Sequence, residues 1–214
     1  MRLIFARHGQ SEANLLRIFS NRDLLHPLTP LGREQALQLA HRLQAEPISQ
    51  IFVSPILRAR QTAEIVSAGL GVPIILTDAL REYDVGVLEG TSDPSGWDLY
   101  DEILREWVDH HHWDRGFAGG ESFNDMRRRF LPFIEGLVSQ SKNSAQTLLL
   151  VTHGGLLRCM LPLVLANIDF PFALRNGIPN TATIQAEPIG ENLICTDWCG
   201  LNPPLTIQPN SYYT

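Results

Sequence analysis

The sequence has few cysteines, no long apolar run and no excess of positive charge. Its three cysteines, Cys159, Cys195 and Cys199, are an odd number without the close spacing of zinc or redox motifs, which predicts reduced, structural thiols. No apolar stretch approaches the length that crosses a bilayer, and the N-terminus shows no apolar signal core with a cleavage site. We therefore expect a cytoplasmic protein with no membrane partner.

The charge balance argues against nucleic acid as a ligand. Asp and Glu outnumber Lys and Arg by 23 to 17, which gives a formal net charge of −6 at pH 7. Such a chain repels a polyanion unless a local basic patch dominates. Hydrophobic residues make up 44% and charged residues 19%, as is ordinary for a globular protein with a buried core. We therefore predict no nucleic-acid partner.

Apolar strand-like runs alternate with segments of helical periodicity. The predicted strands cover 3–6, 51–53, 73–76, 148–151, 181–186 and 193–197. This alternation predicts an α/β fold of three layers, with a mostly parallel sheet and helices on both faces. The composition does not change abruptly along the chain, so we expect a single domain over residues 1–214.

Three helix starts are marked by capping residues. Thr29-Pro30 and Ser54-Pro55 each have the form of an N-cap followed by a proline at the first helical position. Ser122 and Asp125 have the spacing of a capping box. We therefore expect helices to begin directly after each of these signals.

Residues 83–120 interrupt the alternation and predict a lid-like excursion from the core. Periodicity weakens there, and the segment contains Trp97, Trp107, Trp113 and the run His110-His111-His112. The tryptophans fit either contact with a substrate or packing of the lid on the core. Metal binding by the histidine run is disfavoured, because three consecutive residues cannot all face one ion.

Two predicted strands end in the same way. LIFARHGQ and LLLVTHGG each deliver a histidine directly before a glycine, which places His8, with Arg7 beside it, and His153 at strand ends. Carboxyl ends of parallel strands form the ligand-binding edge of such a sheet. Arg58, early in the helix after the second strand, and Glu82, just after the third, are candidates to join them. Converging guanidinium and imidazole groups predict a site for a dianion such as a phosphoryl group.

Several motifs, in order from residue 2 to about residue 185, resemble those of the histidine phosphatase superfamily, the phosphoglycerate mutase-like proteins. They read RHGQSEAN at 7–14, LTPLG at 28–32, SPILRARQTA at 54–63, Glu82 with GVLEG at 86–90, GES at 120–122 and VTHGG at 151–155. The resemblance implies the phosphoglycerate mutase-like version of the three-layer fold. It also selects Arg58 over Arg60, which helix position alone does not.

The resemblance implies a role for each candidate residue. His8 corresponds to the nucleophile that takes the phosphoryl group, and Glu82 to the proton donor for the leaving group. The groups that hold the phosphoryl oxygens correspond to Arg7, Arg58 and His153. Two further positions correspond to the phosphate pocket, Asn14 by its motif and Ser20 by spacing alone. We expect Gly9 to leave room for the phosphoryl group, and we expect no metal or other cofactor to be needed.

The motifs leave several activities open. Glycolytic mutases have an arginine directly after the acid-loop glutamate and a later arginine pair. Here Tyr83 follows Glu82, and between there and Gly119 only the isolated arginines Arg105 and Arg115 occur. We therefore predict a metal-independent, histidine acid-type phosphatase that hydrolyses a small phosphomonoester through a phosphohistidine.

The alternatives are a cofactor-dependent phosphoglycerate mutase and, less favoured because all five catalytic groups are present, a non-catalytic binding domain. A metal-dependent hydrolase would differ from the phosphatase by losing activity with chelator. The substrate and the oligomeric state stay open, and a homodimer is one assembly that the sequence allows.

Overall fold

The computed structural model describes residues 1–22, 26–140 and 145–207. Within them one sheet contains six strands: β1 (Arg2–Arg7), β2 (Ile48–Val53), β3 (Ile74–Leu76), β4 (Thr147–Thr152), β5 (Thr183–Ile189) and β6 (Asn192–Trp198). Their order is β3-β2-β4-β1-β5-β6, so β1 lies between β4 and β5. Strands β1 to β4 are parallel, and β5 pairs antiparallel with both β1 and β6. The mostly parallel sheet is confirmed, with an antiparallel pair at one edge.

Helices cover both faces of the sheet. The described helices are α1 (Glu12–Leu16), α2 (Pro30–Arg42), α3 (Leu57–Leu70), α4 (Pro94–Val108), α5 (Phe123–Gln140), α6 (Gly154–Val164) and α7 (Phe170–Arg175). Along β1, Ile4 and Ala6 belong to the apolar cluster of α2 and α3, whereas Leu3 and Phe5 belong to that of α5 and α6. Because both faces of the central strands are covered, β4 is buried along its whole length. The predicted three-layer α/β architecture is confirmed.

Two of the three predicted helix starts are confirmed. The Thr29 hydroxyl accepts the Gly32 N–H at 3.0 Å with Pro30 as the first residue of α2. Ser122 and Asp125 exchange side-chain to backbone hydrogen bonds of 2.9 and 3.2 Å at the start of α5. The prediction for Ser54-Pro55 is wrong, because α3 begins only at Leu57.

Weak periodicity in residues 83–120 predicted a segment without a regular helix. This is also wrong, because the segment contains the amphipathic helix α4. Its start repeats the capping device: the Asp93 carboxylate accepts the Gly96 N–H at 2.9 Å, and Pro94 is the first helical residue. Trp107 is fully buried beside Phe117 and Phe123. This segment therefore packs on the same core as α5.

The three cysteines are free thiols, as predicted. Cys159 and Cys195 are buried, and burial raises the pKa of each thiol to about 12. Both stay protonated at neutral pH and act as small apolar groups. In the part of the chain that the structure describes, no helix is both long and apolar enough to span a membrane.

Candidate active site

The two strand-end histidines lie next to each other at one edge of the sheet. Arg7 at the end of β1 is paired in register with Thr152 at the end of β4, so the residues that follow, His8 and His153, are neighbours. Their ring centroids are 5.1 Å apart. Both rings are buried, with 2% and 0% exposure.

His8 is held as a neutral imidazole. Its Nδ1–H donates to the Gly9 carbonyl at 2.7 Å, and because a carbonyl can only accept, the proton of the neutral ring is fixed on Nδ1. Nε2 is left unprotonated and accepts Arg58 Nε–H at 3.0 Å. Burial and then the charges of Arg58 and Arg7 lower the pKa of His8 well below its usual value. Nε2 therefore keeps a lone pair at neutral pH.

The hydrogen bonds of Arg58 within the described residues go to acceptors other than carboxylates. Nη1 donates to the Ser20 carbonyl at 2.5 Å and Nη2 to the Asn21 side-chain oxygen at 3.2 Å. Burial lowers its pKa to about 10, which leaves the guanidinium charged at pH 7. Arg60 instead points to the surface, where it pairs with Glu64 at 3.6 Å. The structure thus separates the two arginines that helix position could not.

The Arg7 side chain packs closely against Gly154, the glycine that follows His153. Arg7 Nη1 donates to the Ile178 carbonyl at 2.7 Å, while its buried Nε has no hydrogen-bond partner among the described residues. A Cβ atom on Gly154 would lie 3.2 Å from this Nε. Gly154 therefore gives the Arg7 guanidinium its space.

Glu82 is fixed at the N-terminus of α6. Its carboxylate oxygens accept the N–H groups of Gly155 at 2.9 Å and Leu156 at 2.7 Å. A Cβ on Gly155 would lie 2.8 Å from both oxygens and 2.7 Å from the Tyr83 ring. A larger residue than glycine would therefore displace the acid.

His153 lies behind His8. Its Nε2 is 2.7 Å from the Ser54 hydroxyl, and its buried Nδ1 has no partner in the described ranges. Burial and then the charge of Arg58 lower the pKa of His153 well below its usual value. The Ser54 hydroxyl also accepts the Ile56 N–H at 3.3 Å, so it bonds both this histidine and the backbone just before α3.

The expectation for Gly9 is wrong. A Cβ atom at this position would lie 2.4 Å from the Gly32 carbonyl oxygen, and a Cβ on Gly32 would lie 1.9 Å from the Gln10 carbonyl oxygen. The two glycines allow the turn after β1 to pack against the start of α2. Gly9 therefore makes room for backbone and not for a phosphoryl group.

An open cavity of about 480 Å³ lies over these groups. Its floor is formed by Arg7, His8, Arg58 and Glu82. Asn14 and Ser20 also line the cavity, as the resemblance implies. The Asn14 side-chain oxygen accepts the Ser11 N–H at 3.1 Å, and the Ser20 hydroxyl is 2.8 Å from His26 Nδ1.

The side of the cavity is formed by a wall of Phe19, Trp97, Tyr100 and Arg158. Trp97 packs on Phe19 with ring centroids 4.2 Å apart, and the Tyr100 hydroxyl bonds that of Tyr83. Of the three lid tryptophans, only Trp97 lines this cavity in the described chain, whereas Trp107 is buried in the core. Packing on the core is thus confirmed for Trp107, whereas contact of Trp97 with a substrate stays a prediction.

Two polar residues of the cavity were not predicted. Asn21 joins Arg58 to the acid loop, because its Nδ2 also donates to the Tyr83 carbonyl at 2.9 Å. Arg158 lies one helical turn after Gly154 and so shares the face of α6 that meets the cavity. That spacing is a signal in the sequence, but it is a weak one without knowing which face of α6 is exposed.

The described residues contain no cluster of three or more histidine, cysteine or acidic side chains that could hold a metal ion. In the histidine run, His112 Nδ1 instead pairs with Glu106 at 2.6 Å. The floor has two guanidinium groups beside one neutral imidazole and one carboxylate, and the guanidinium groups are donors for an anion.

Comparison with known proteins matches residues 3–199 to the model of the histidine phosphatase superfamily (branch 1). The chain is 32% identical over 163 residues to "Putative phosphoserine phosphatase 2" of Hydrogenobacter thermophilus, covering 76% of this chain and 78% of that protein. It is 30% identical over 200 residues to a 2,3-bisphosphoglycerate-dependent phosphoglycerate mutase of Methylobacterium radiotolerans, covering 86% and 90%. A solved mycobacterial glucosyl-3-phosphoglycerate phosphatase has a similar fold, with a TM-score of 0.78 at 24% identity over 92% of this chain and 98% of that one.

Proposed function

This chain belongs to the histidine phosphatase superfamily, and we propose that it hydrolyses small phosphomonoesters through a phosphohistidine formed at His8 Nε2. The observation that carries the proposal is the fixed tautomer of His8. Its proton is held on Nδ1 by Gly9, so that Nε2 offers a lone pair to the cavity beside two guanidinium groups. Such an arrangement fits attack on a phosphoryl dianion.

In the first step, His8 Nε2 attacks phosphorus as the bond from phosphorus to the ester oxygen breaks. The phosphoryl group replaces the hydrogen bond between Arg58 and His8 and takes up the Arg58 and Arg7 donors on its oxygens. Preorganised donors of this kind each contribute about a hundredfold to a thousandfold in rate. Glu82 gives its proton to the departing oxygen, which leaves as an alcohol.

In the second step, a water molecule gives a proton to Glu82 while its oxygen attacks the phosphorus of phospho-His8. The nitrogen–phosphorus bond breaks, inorganic phosphate leaves, and His8 returns to its neutral form with Glu82 protonated again. His153 sits behind His8 and adds no full charge while it is neutral. We assign His153 a positioning role, in which it orients the His8 ring and the phosphoryl oxygens.

Hydrolysis is favoured over isomerisation because Tyr83, and not arginine, follows Glu82 and no adjacent arginine pair lies between there and Gly119. The relatives include both a phosphatase and a mutase by name, so phosphoglycerate mutase remains the second candidate. We further propose that no metal takes part, since the guanidinium groups supply the positive charge, and that the protein works in the cytoplasm.

The test is release of inorganic phosphate from a panel of phosphomonoesters with chelator present, beside a phosphoglycerate isomerisation assay. We expect hydrolysis that resists chelator and that falls by roughly 10⁴-fold or more in His8→Ala. The exposed His110→Ala is the matched control and should keep wild-type activity. Isomerisation without net phosphate release would transfer the protein to the mutases, and equal activity of His8→Ala and wild type would overturn the role of His8.

A further inference from the structure

The connection between α7 and β5 bonds the backbone that carries the proposed nucleophile. The Thr181 N–H donates to the Arg7 carbonyl at 3.1 Å, and Asn180 Nδ2 donates to the His8 carbonyl at 2.9 Å. In the other direction, Arg7 Nη1 donates to the Ile178 carbonyl at 2.7 Å. This connection thus holds two neighbouring residues of the active site, although it is far from them in the sequence.

Thr181 has a backbone conformation that its residue type rarely adopts. Its φ is 56°, in the left-handed region, which β-branched residues seldom enter. Such a conformation is strained and persists only where neighbouring groups hold it. Here the Thr181 carbonyl accepts Arg42 Nη2–H at 2.8 Å, while the N–H faces the Arg7 carbonyl. The connection is therefore held in one conformation against the end of β1.

The side-chain amide of Asn180 has two N–H groups and contacts two groups of the active site. Its Nδ2 lies 2.9 Å from the His8 carbonyl oxygen and 3.5 Å from the Asn14 side-chain oxygen. Because a carbonyl can only accept, the first contact fixes which end of the Asn180 amide faces β1. One side chain therefore joins the proposed nucleophile to a residue of the proposed phosphate pocket.

The His8 carbonyl belongs to a peptide that helps to place the imidazole. The nitrogen end of this peptide, the Gly9 N–H, donates to Thr62 Oγ1 at 3.0 Å. At the oxygen end, Asn180 is the nearer donor, since the Thr181 N–H lies 3.4 Å away. The next carbonyl, that of Gly9, accepts His8 Nδ1–H and fixes the tautomer. Loss of the Asn180 donor should therefore loosen the backbone that orients the attacking ring.

The Asn14 amide is oriented by the donors on its oxygen. The Ser11 N–H donates to Oδ1 at 3.1 Å, and Asn180 Nδ2 meets the same oxygen. An oxygen that accepts these donors turns the Asn14 amide nitrogen away from them. Asn14 lines the cavity, and this nitrogen has no hydrogen-bond partner among the described residues. Its N–H groups are therefore free to donate to an anion in the cavity.

We propose that Asn180 is a positioning residue of the reaction, which holds the His8 backbone with one N–H and the Asn14 amide with the other. The proposal rests on the proposed phosphatase function and adds a residue to its machinery. Within this connection the cavity is lined by residues 177–179. Asn180 thus acts through the two groups that it bonds and not by contact with the phosphoryl group.

The test removes both N–H groups in Asn180→Leu, which keeps a branched side chain of the same length. We expect kcat on the best ester of the panel to fall about tenfold to a hundredfold, because the attacking ring is displaced. The Kd of inorganic phosphate, measured by isothermal titration, should rise about threefold to tenfold, the effect of one hydrogen bond. Asn180→Ser, whose side chain is too short for either acceptor, should show the same losses and replaces the leucine variant if that variant does not fold.

The matched control is Asn176→Leu in the same connection. Asn176 Nδ2 also donates to a backbone carbonyl, that of Phe172 at 2.9 Å, but this carbonyl belongs to α7 and not to the active site. The control should keep wild-type kcat and phosphate binding, even if its denaturant midpoint falls as far as that of Asn180→Leu. Equal losses of kcat in the two variants would overturn the positioning role.

A second comparison separates the two N–H groups of Asn180. In an Asn14→Ala background, Asn180→Leu should change the Kd of phosphate by less than about twofold, because the amide that it orients is gone. Its effect on kcat, which passes through the His8 backbone, should remain. An undiminished effect on the Kd in that background would overturn the proposed link between the two asparagines.

The failure of the phosphatase function would show differently. If the wild type released phosphate from none of the esters, that function would fall, and phosphate binding would decide the role of Asn180. A weaker binding in Asn180→Leu but not in Asn176→Leu would then support it, whereas equal Kd values, or no binding by the wild type, would overturn it. Hydrolysis by the wild type with kcat and Kd unchanged in Asn180→Leu would overturn the positioning role alone.

Discussion

The floor and the wall of the cavity are built by different means. Each floor side chain bonds a backbone group: His8 bonds Gly9, Arg7 bonds Ile178, Arg58 bonds Ser20, and Glu82 accepts two N–H groups of α6. The wall is held by ring contacts and one tyrosine pair, and Arg158 has no hydrogen-bond partner among the described residues.

This difference follows the two tasks of a phosphomonoesterase. The phosphoryl group is the same in every ester, so its donors gain from being rigid before the substrate arrives. The leaving group varies, so the side chains that meet it need only be near it. The motifs in the sequence therefore identify the residues of the floor but hardly any residue of the wall.

The largest expected effect separates a wall tryptophan from a core tryptophan in the same helix. Trp107→Ala should lower the free energy of unfolding by about 3–5 kcal/mol, because its fully buried ring packs on Tyr83, Phe117 and Phe123. Trp97→Ala should instead raise KM by roughly threefold to tenfold with a smaller loss of stability. Denaturant unfolding and steady-state kinetics on both variants measure the two effects, and a reversed pattern would show that Trp97 is structural.

The next effect tests the rigidity of the floor. Gly155→Ala should reduce kcat about a hundredfold, because the added Cβ at 2.8 Å displaces the Glu82 carboxylate from its place. Gly136→Ala in α5 is the matched control, since in the described chain its added Cβ would meet no atom within 4 Å outside the backbone of its own helix. It should leave kcat unchanged and raise the free energy of unfolding by about 0.5–1 kcal/mol. Unaltered kcat in Gly155→Ala would mean that Glu82 need not be held in place.

The smallest effect is a pH dependence of the floor. The pKa values of His8 and His153 are well below the usual value in the folded state, first because of burial and then because of Arg58. Below about pH 6.5 these histidines are protonated in the unfolded chain but stay neutral in the folded chain. The free energy of unfolding therefore falls as the pH is lowered. The slope should approach 1.4 kcal/mol per pH unit for each imidazole.

Denaturant midpoints between pH 7 and 5 measure this slope, and His8→Gln should reduce it by the contribution of one imidazole. The lowered pKa of His8 also affects catalysis. The acid limb of the kcat/KM profile, which reports protonation of His8, should lie below pH 6.5. A slope identical in His8→Gln and the wild type would contradict a neutral, buried His8.

Arg7 and His8 of the floor could be anticipated because both lie at a strand end that is marked by a His-Gly pair, whereas the choice of Arg58 and Glu82 rested on the resemblance to the family. The burial and neighbours of Ser54 could not be predicted, since a serine before a proline is also an ordinary helix start. Only the fold brings its hydroxyl to 2.7 Å from His153 Nε2. Helix α4 was missed although Asp93-Pro94 repeats the signal of Thr29-Pro30. Arg158 was missed because a lone arginine on a helix has no meaning until the cavity beside it is known.

The central position of β1 has a consequence for synthesis. The strand that carries His8 is synthesised before its neighbours in the sheet, β4 and β5, which begin at Thr147 and Thr183. Until those segments are made, β1 has no partner and its edges are exposed. His8, the proposed nucleophile, is thus translated long before the two strands that flank β1, so that competence for reaction appears only when nearly the whole described chain is in place.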